Sequence, residues 1–321
     1  MVKKIGLVYD LPTDSHIEEM VEAIEKSISG KFEVLSIPFD DDFMQKIKNV
    51  DFVFNLSTKG GKDSRQLHVP AILDKMGIPY TGPSARVHAL CIDKFLTKLV
   101  LKNHNIPTPD VFVVPVGEEP CMDSALTFPL IVKPSREGSA KGLKKESVVY
   151  DLDSLQKMVH YVHEEFHQPA LVEEFIDGIE VTCGILGNGE DLEVLPLLEI
   201  DFSHLPEGVE RFYSDRVKNH IDHYLRFHCP AHLPHSMVEK IENGCRKIFR
   251  LLELQDYARI DIRVKDGEYY VLEVNSLPLL VPVYSDITKM AKAAGYIYEG
   301  LILRILAYSF KRWGITSQEI R

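Results

Sequence analysis

At 321 residues, 45% hydrophobic and 26% charged, the chain has the composition of a soluble globular protein. It is long enough for two or three packed units and unlike a disordered or fibrous chain. A formal net charge of -11 argues against a nucleic-acid binder that works by neutralising phosphates, while leaving room for a local basic site for a small anion.

In chain order, Lys4 to Asp10 reads as a strand, Ser15 to Ser29 as a helix and Lys31 to Pro38 as a second strand. The Asp40-Asp41-Asp42 run reads as a solvated helix cap, and Asp51 to Leu56 as a buried third strand. Strand and helix alternating in this way predict a parallel sheet with helices on its faces. Gln66 to Met76 is a helix that Gly77-Ile78-Pro79 ends, and Asp93 to Asn105 is the next. Pro107-Thr108-Pro109 then breaks the chain. From Phe112 to Phe175 the pattern is strand, helix, strand, with the helix at Leu152 to Phe166, and an amphipathic helix closes the chain near Tyr298 to Phe310.

Cys91, Cys121, Cys183, Cys229 and Cys245 are odd in number and lack any Cys-x-x-Cys spacing, which reads as reduced thiols. Met1-Val2-Lys3-Lys4-Ile5 enters a strand directly, and no apolar run reaches membrane-spanning length. Both features point to a cytoplasmic protein away from membranes.

The densest chemistry lies in Ala258-Arg259-Ile260-Asp261-Ile262-Arg263 and Tyr269-Tyr270-Val271-Leu272-Glu273-Val274-Asn275. Residues two apart on a strand share a face, so Arg259 goes with Asp261 and Glu273 with Asn275. A turn at Lys265-Asp266-Gly267-Glu268 would bring Asp261 beside the second pair. The run is then either an ordinary hairpin with solvated carboxylates or a site where Asp, Glu and Asn oxygens converge on a hard cation. Lys94 opens a helix, and Lys133 closes the short strand Leu130-Ile131-Val132. The loop Ser135 to Gly142 has the glycines and hydroxyl to cover phosphates but lacks Gly-Lys-Ser/Thr, and an ordinary turn would look the same. Leu171 to Ile176 is strand-like; it is a core strand or an edge for a nucleoside.

In order and spacing these pieces match one family. Phe54-Asn55, Ile78-Pro79-Tyr80-Thr81-Gly82, Asp93-Lys94, Thr97-Lys98, Ile106-Pro107-Thr108-Pro109 and Val132-Lys133-Pro134 form its first part. Arg136-Glu137-Gly138-Ser139, Glu173 to Glu180, Cys229-Pro230-Ala231, Arg259-Ile260-Asp261 and Leu272-Glu273-Val274-Asn275 complete it. The chain resembles the ATP-grasp superfamily, and within it the D-alanine–D-alanine ligases, over nearly its whole length. The resemblance implies an α/β (α+β) ATP-grasp fold. A Rossmann-like parallel sheet would occupy residues 1–90, a central ATP-grasp lid subdomain 91–178 and a C-terminal catalytic subdomain 179–321.

It also implies ATP as the nucleotide and Mg²⁺, with Mn²⁺ as an acceptable substitute, for a carboxylate–amine ligase working through an acyl phosphate. Lys94 and Lys133 would then contact phosphates, and Ser139 would lie in the loop over them. Glu173, Phe175 and Ile176 would hold adenine, Glu180 the ribose, and Lys218 a phosphate. Asp261, Glu273 and Asn275 would bind the metal, with Arg259 and Ser139 catalytic. The partners are small carboxylate and amine substrates rather than nucleic acid or membrane, with room for a homodimer.

The departures lie on the amino-acid side. Ser15 stands at the Glu position of the family's first loop, with Asp14 or Glu18 as stand-ins, and Ser57 to Ser64 replaces the His-Gly-x-x-Gly-Glu-Asp-Gly loop. Lys218-Asn219 replaces a Lys-Tyr pair and Leu279 a glycine, and by the resemblance Ser285 would be the serine for a substrate carboxylate. These changes predict a kept nucleotide site and an altered substrate, with the Lys59 and Lys62 charges favouring a second acidic group. A hydroxyl or thiol acceptor, or ATP binding without catalysis, are the alternatives. His220, His223, His228, His232 and His235 lack the tight spacing of structural zinc sites and read as solvated or substrate-facing.

Overall fold

The computed structural model describes residues 2–58, 65–121 and 126–316. The Lys59 to Ser64 segment, with its two lysines, lies outside the described residues. The first sheet is built from β1 (Lys4–Tyr9), β2 (Glu33–Pro38) and β3 (Phe52–Asn55) in the order β2-β1-β3, all parallel. Ile5, Leu7, Phe52 and Phe54 are fully buried, as continuous apolar strands of a covered parallel sheet must be. Between β1 and β2 runs α1 (Ser15–Ile28), whose first turn is capped by Asp14, the Oδ1 accepting from Ile17 N at 3.0 Å. Asp42 stands at the N-cap of the short α2 (Phe43–Lys46) but makes no side-chain cap bond. Asp40 instead takes the Asp42 N–H and pairs with Lys46 at 2.7 Å.

The next helix, α3 (His68–Met76), follows a tight turn at Arg65–Leu67 and ends on Gly77 in the left-handed region. α4 (Ala85–Ile92), to which the sequence reading assigned no element, precedes α5 (Lys94–Asn103). Asp93 divides the two, accepting the Leu96 N–H.

The middle of the chain holds β4 (Val111–Val114), β5 (Leu130–Pro134), β6 (Val148–Val149), α6 (Leu152–Phe166) and β7 (Ala170–Glu174). These make an antiparallel sheet in the order β4-β7-β5-β6, richer than the strand, helix, strand expected. Leu155, Met158, Val159 and Val162 of α6 recur at helical spacing and pack on Leu130, Val132 and Val172 of the sheet.

The third sheet contains β8 (Ile179–Asn188), β9 (Asp191–Val194), β10 (Leu198–Asp201), β11 (Arg226–His228), β12 (Asp256–Lys265) and β13 (Glu268–Asn275). Its order is β11-β10-β8-β12-β13, with β9 also on β8, and every pairing is antiparallel. The 202–225 excursion between β10 and β11 carries α7 (Asp215–Asn219), and α8 (His235–Leu251) follows β11. Met237, Ile241, Cys245 and Ile248 of α8 face the sheet. The β12–β13 hairpin turns at Asp266 (φ 50°) and Gly267 (φ 79°), both left-handed, which is the two-residue turn that matches strand twist. α9 (Asp286–Ala293) and α10 (Tyr298–Arg312) close the chain.

The apolar clusters tie these sheets together. Leu301, Ile302, Ile305 and Leu306 of α10 share one core with Ile5 and Leu7 of β1 and with the buried face of α1. Leu101 of α5 shares another with Ile248 of α8 and Ile260 of β12. No helix among the described residues is long and apolar enough to cross a membrane.

Candidate active site

Residues of all three sheet regions converge on one cavity of about 540 Å³. Asp14 lines it from α1, Lys94 from α5, Lys133 from β5, Ser139 from the following loop, and Arg259, Asp261, Glu273 and Asn275 from the hairpin.

The hairpin register explains the last four. Arg259 lies opposite Asn275 and Asp261 opposite Glu273, so side chains alternating along both strands meet on one face. Arg259 grips Asp261 in a fork, Nε to Oδ1 and Nη2 to Oδ2, both at 2.8 Å. Asn275 Nδ2 donates to Asp261 Oδ2 at 2.9 Å and to Glu273 Oε1 at 3.3 Å. Thr182 of β8, the Asp261 neighbour on the other side, donates to Asp261 Oδ1 at 2.7 Å. Burial alone would raise the Glu273 carboxyl, but Lys94, Lys133 and Arg259 pull it down to about 2. Burial also works against the Arg259 charge, and Asp261 and Asp286 more than offset it, so the guanidinium is held protonated. The donors in this cluster are hard oxygens, two carboxylates and an amide whose Oδ1 and Nδ2 exchange places on a half-turn, so the set fits a cation of the Mg²⁺ class.

Beside the carboxylates stand the lysines. Lys94 Nζ lies 3.4 Å from Glu273 Oε2 and donates to the Glu137 carbonyl of the 135–142 loop. Lys133 Nζ bonds Glu173 Oε1, and Lys98 Nζ sits 3.0 Å from Glu173 Oε2. Lys98 is only 1% exposed and also donates to Thr108 and the Val271 carbonyl. Burial lowers its ammonium to about 8, with Glu173 opposing the shift. Glu173 is thus a counter-ion holding two lysines. It does not line the cavity, and neither do Phe175 and Ile176. Phe175 packs with Phe212, Ile131, Val148 and Leu143 in a small apolar cluster beside β5. Glu180 lines the cavity, but Arg263 holds its carboxylate at 2.6 Å, and burial still raises it above the ordinary glutamate value.

Ser139 is exposed with φ 56°, followed by Ala140 at 60°, so two consecutive left-handed residues turn this loop over the cavity. From the 202–225 excursion come Lys218, half-buried with its ammonium lowered by burial and then by Arg259, and Tyr213, whose ring lies 5.2 Å from Lys218 Nζ. Ser285 stands at the N-cap of α9 without a side-chain cap bond and lines the cavity, its Oγ accepting the Val281 N–H at 3.0 Å.

Comparison with known proteins bears on this geometry. The family model described as the D-ala D-ala ligase C-terminus matches residues 102–307. A D-alanine–D-alanine ligase of Carboxydothermus hydrogenoformans is 33% identical over 298 residues, covering 89% of this chain and 90% of the relative. The chain belongs to the D-alanine–D-alanine ligase family of ATP-grasp, carbon–nitrogen bond-forming ligases. The crystal structure of the Bacillus anthracis D-alanine–D-alanine ligase complexed with ATP superposes with a TM-score of 0.79 at 28% identity, covering 97% of this chain and 98% of that one. An uncharacterized Sinorhizobium fredii protein, y4sG, is 34% identical over 262 residues, 81% of this chain and 75% of its own.

Within this ligase family member, the structure separates residues the sequence reading treated together. Of the two stand-ins in the first loop, Asp14 lines the cavity, whereas Glu18 accepts from Thr13 at 2.7 Å and does not. Asn219 turns to Asp215 in its own helix, at 2.8 Å, rather than toward Ser139. Sequence reasoning gave no role to Lys98, Thr182, Tyr213, Arg263, Tyr284 or Asp286. Arg263 was within reach of the period-two argument, two residues past Asp261 on the same face. Thr182 and Asp286 depend on neighbours distant in sequence.

Behind the wall, His88 of α4 is fully buried, its Nδ1 2.7 Å from Ser276 Oγ, next to Asn275. Burial pushes its imidazole down to about 3, against about 6.5 when unfolded. The unfolded chain therefore binds a proton that the folded one refuses, and stability falls as pH drops from 6.5 toward 3. Between pH 7 and pH 5 the expected loss from this group is about 2 kcal/mol. Urea unfolding at both pH values should show wild type losing more than His88→Gln by about that amount. Equal losses would show that His88 does not carry the effect.

Proposed function

We propose that this protein is an ATP- and Mg²⁺-dependent ligase that joins a carboxylate-bearing substrate to an amine through an acyl phosphate, with a substrate other than D-alanine. One observation carries the nucleotide half. Lys94 and Lys133 line the same cavity as the Asp261, Glu273 and Asn275 set, and Lys94 Nζ pairs with Glu273 Oε2 at 3.4 Å. Lysine ammoniums beside a cation-binding oxygen set suit a polyphosphate that takes direct contacts from the first and a metal from the second. Mg²⁺, when bound there, would neutralise phosphate charge. Arg259 is placed to offset charge that develops when a carboxylate oxygen attacks the γ-phosphorus and ADP leaves. An amine nitrogen then attacks the acyl carbon, phosphate departs, and the nitrogen loses a proton. The Ser139 loop and the 202–225 excursion flank the cavity, where excluding water protects an acyl phosphate from hydrolysis.

The substrate half rests on Leu279 and its surroundings. Leu279 lines the cavity while packing on the core shared by α1 and α10, and Tyr284, stacked on His16 with ring centroids 4.1 Å apart, lines it as well. A leucine where the family has glycine takes volume from the substrate. With ATP, Mg²⁺ and D-alanine alone, ADP release is expected to stay below about a tenth of that with the best substrate, the scale of discrimination that a small steric change supplies. A panel of amino-acid and hydroxy-acid pairs, read by ADP release and product mass, tests this directly. Efficient D-alanyl-D-alanine synthesis would overturn the substrate reading, and an ester or thioester product the amine acceptor.

The phosphate lysines have their own signature. Lys94→Ala and Lys133→Ala should weaken ATP binding by about tenfold or more and leave adenosine binding nearly unchanged, because only charge-assisted phosphate contacts are lost. Calorimetry that finds equal losses for both ligands would assign the lysines to structure alone.

A further inference from the structure

Away from this cavity, the outer edge of the third sheet gathers a second set of metal-ligating side chains. β10 and β11 pair with Glu199 directly opposite His228. The chain then turns so that the His232 N–H donates to Glu199 Oε2 at 2.8 Å, with His232 Nδ1 3.6 Å from the same oxygen. The rings of His228 and His232 lie 4.3 Å apart, and one ligating atom from each of Glu199, His228 and His232 falls within 4.8 Å of the others. Asp201 Oδ2 stands 3.3 Å from His228 Nε2, a carboxylate able to fix the tautomer and orientation of that imidazole.

We propose that Glu199, His228 and His232 form a second, surface metal site for a borderline divalent cation such as Zn²⁺, and that its occupation ties together the two ends of the 202–225 excursion. Two imidazoles with one carboxylate select borderline transition metals over Mg²⁺, which prefers all-oxygen ligands. Three protein ligands, His232 exposed and Glu199 and His228 half-buried, leave a coordination place for water, so the site is exchangeable rather than a closed structural centre. Its position gives it a consequence. Glu199 belongs to the strand entering the excursion and His228 to the strand leaving it, and the excursion carries Tyr213 and Lys218 to the nucleotide cavity. A metal bridging the two strands would restrict the opening of that segment.

The test uses the full-length chain, stripped with chelator and kept in millimolar Mg²⁺, without nucleotide. Titration with Zn²⁺ is expected to show one site in wild type and in Glu273→Gln, and at least tenfold weaker binding in His228→Ala and in His232→Ala. Both histidines lie at the surface, so unchanged melting temperatures are expected without metal. Hydrogen exchange across 202–225 should slow with Zn²⁺ in wild type and not in the His228→Ala, His232→Ala double variant. Equal Zn²⁺ affinity in wild type and the histidine variants, or no uptake by wild type, would overturn the site. Unaltered exchange on Zn²⁺ binding would overturn the tie between the strands.

Discussion

Replacing Glu273 by alanine is expected to leave a folded protein whose ATP turnover falls by about a thousandfold or more, a barrier increase of roughly 4 kcal/mol. The loss has two sources. One of two carboxylates of the cation-binding set disappears, and the charge balance that holds Lys94 near the phosphates goes with it, since Lys94 Nζ is 3.4 Å from Glu273 Oε2. Stability should move differently. Glu273 lies opposite Asp261 across the hairpin, but against the effect of burial Lys94, Lys133 and Arg259 hold its carboxyl well below the ordinary glutamate value, so its removal costs more attraction than the relief of like-charge repulsion returns. The apolar support of the hairpin, from Ile260, Ile262, Val271 and Val274, is untouched. A modestly lowered melting temperature in a protein that still folds cooperatively, with ADP release collapsed, is the expected pair of results. Glu273→Gln keeps the shape and should fail nearly as badly, because the charge is what is missing. Normal ADP release by folded Glu273→Ala would remove the hairpin from the metal site.

Why the hairpin was legible in the sequence, and other parts were not, follows from how local each signal is. Strand alternation put Arg259 with Asp261 and Glu273 with Asn275, and an Asp-Gly turn set the two strands side by side, whereas the register shift after Asp261, which places Glu273 rather than Leu272 opposite it, left no local signal. The parallel sheet β2-β1-β3 was legible for the same reason, through apolar runs separated by one amphipathic helix. β8 was not, although it is the middle strand of the third sheet. It is buried from Glu180 to Gly187 with no alternation, and glycines at 184 and 187 dilute its pattern. The role of Glu173 could not be read either. Its neighbours Lys98 and Lys133 arrive from a helix and a strand far off in sequence, and only packing shows that one carboxylate restrains both. The same holds for Glu199 with His228 and His232, where cross-strand register rather than sequence spacing makes the cluster. Family resemblance reached the two lysines and the hairpin set that line the cavity because their spacing is kept.

The second large effect is expected at Arg259, and it should separate catalysis from binding. The guanidinium is fixed by a two-bond fork to Asp261 and lies 3.8 Å from Asp286, so it faces the cavity without rotamer freedom. A cation held in that way contributes most where new negative charge appears, which is during transfer of the phosphoryl group and in the tetrahedral adduct that follows. Arg259→Ala is therefore expected to lower kcat by about a thousandfold, within the range seen when an arginine that stabilises phosphoryl transfer is removed, while KM for ATP changes by less than about tenfold. Arg259→Lys keeps a charge but not the planar fork, so it should recover only a small part of the rate. Asp261 retains bonds from Thr182 and Asn275 in both variants, which protects the cluster from being left with an unpaired buried carboxylate. A variant with normal kcat and raised KM would place Arg259 in ground-state binding, and one with lost rate and an equal loss of melting temperature in both substitutions would make its role structural. The split between kcat and KM, together with partial rescue by lysine, is what a transition-state role requires.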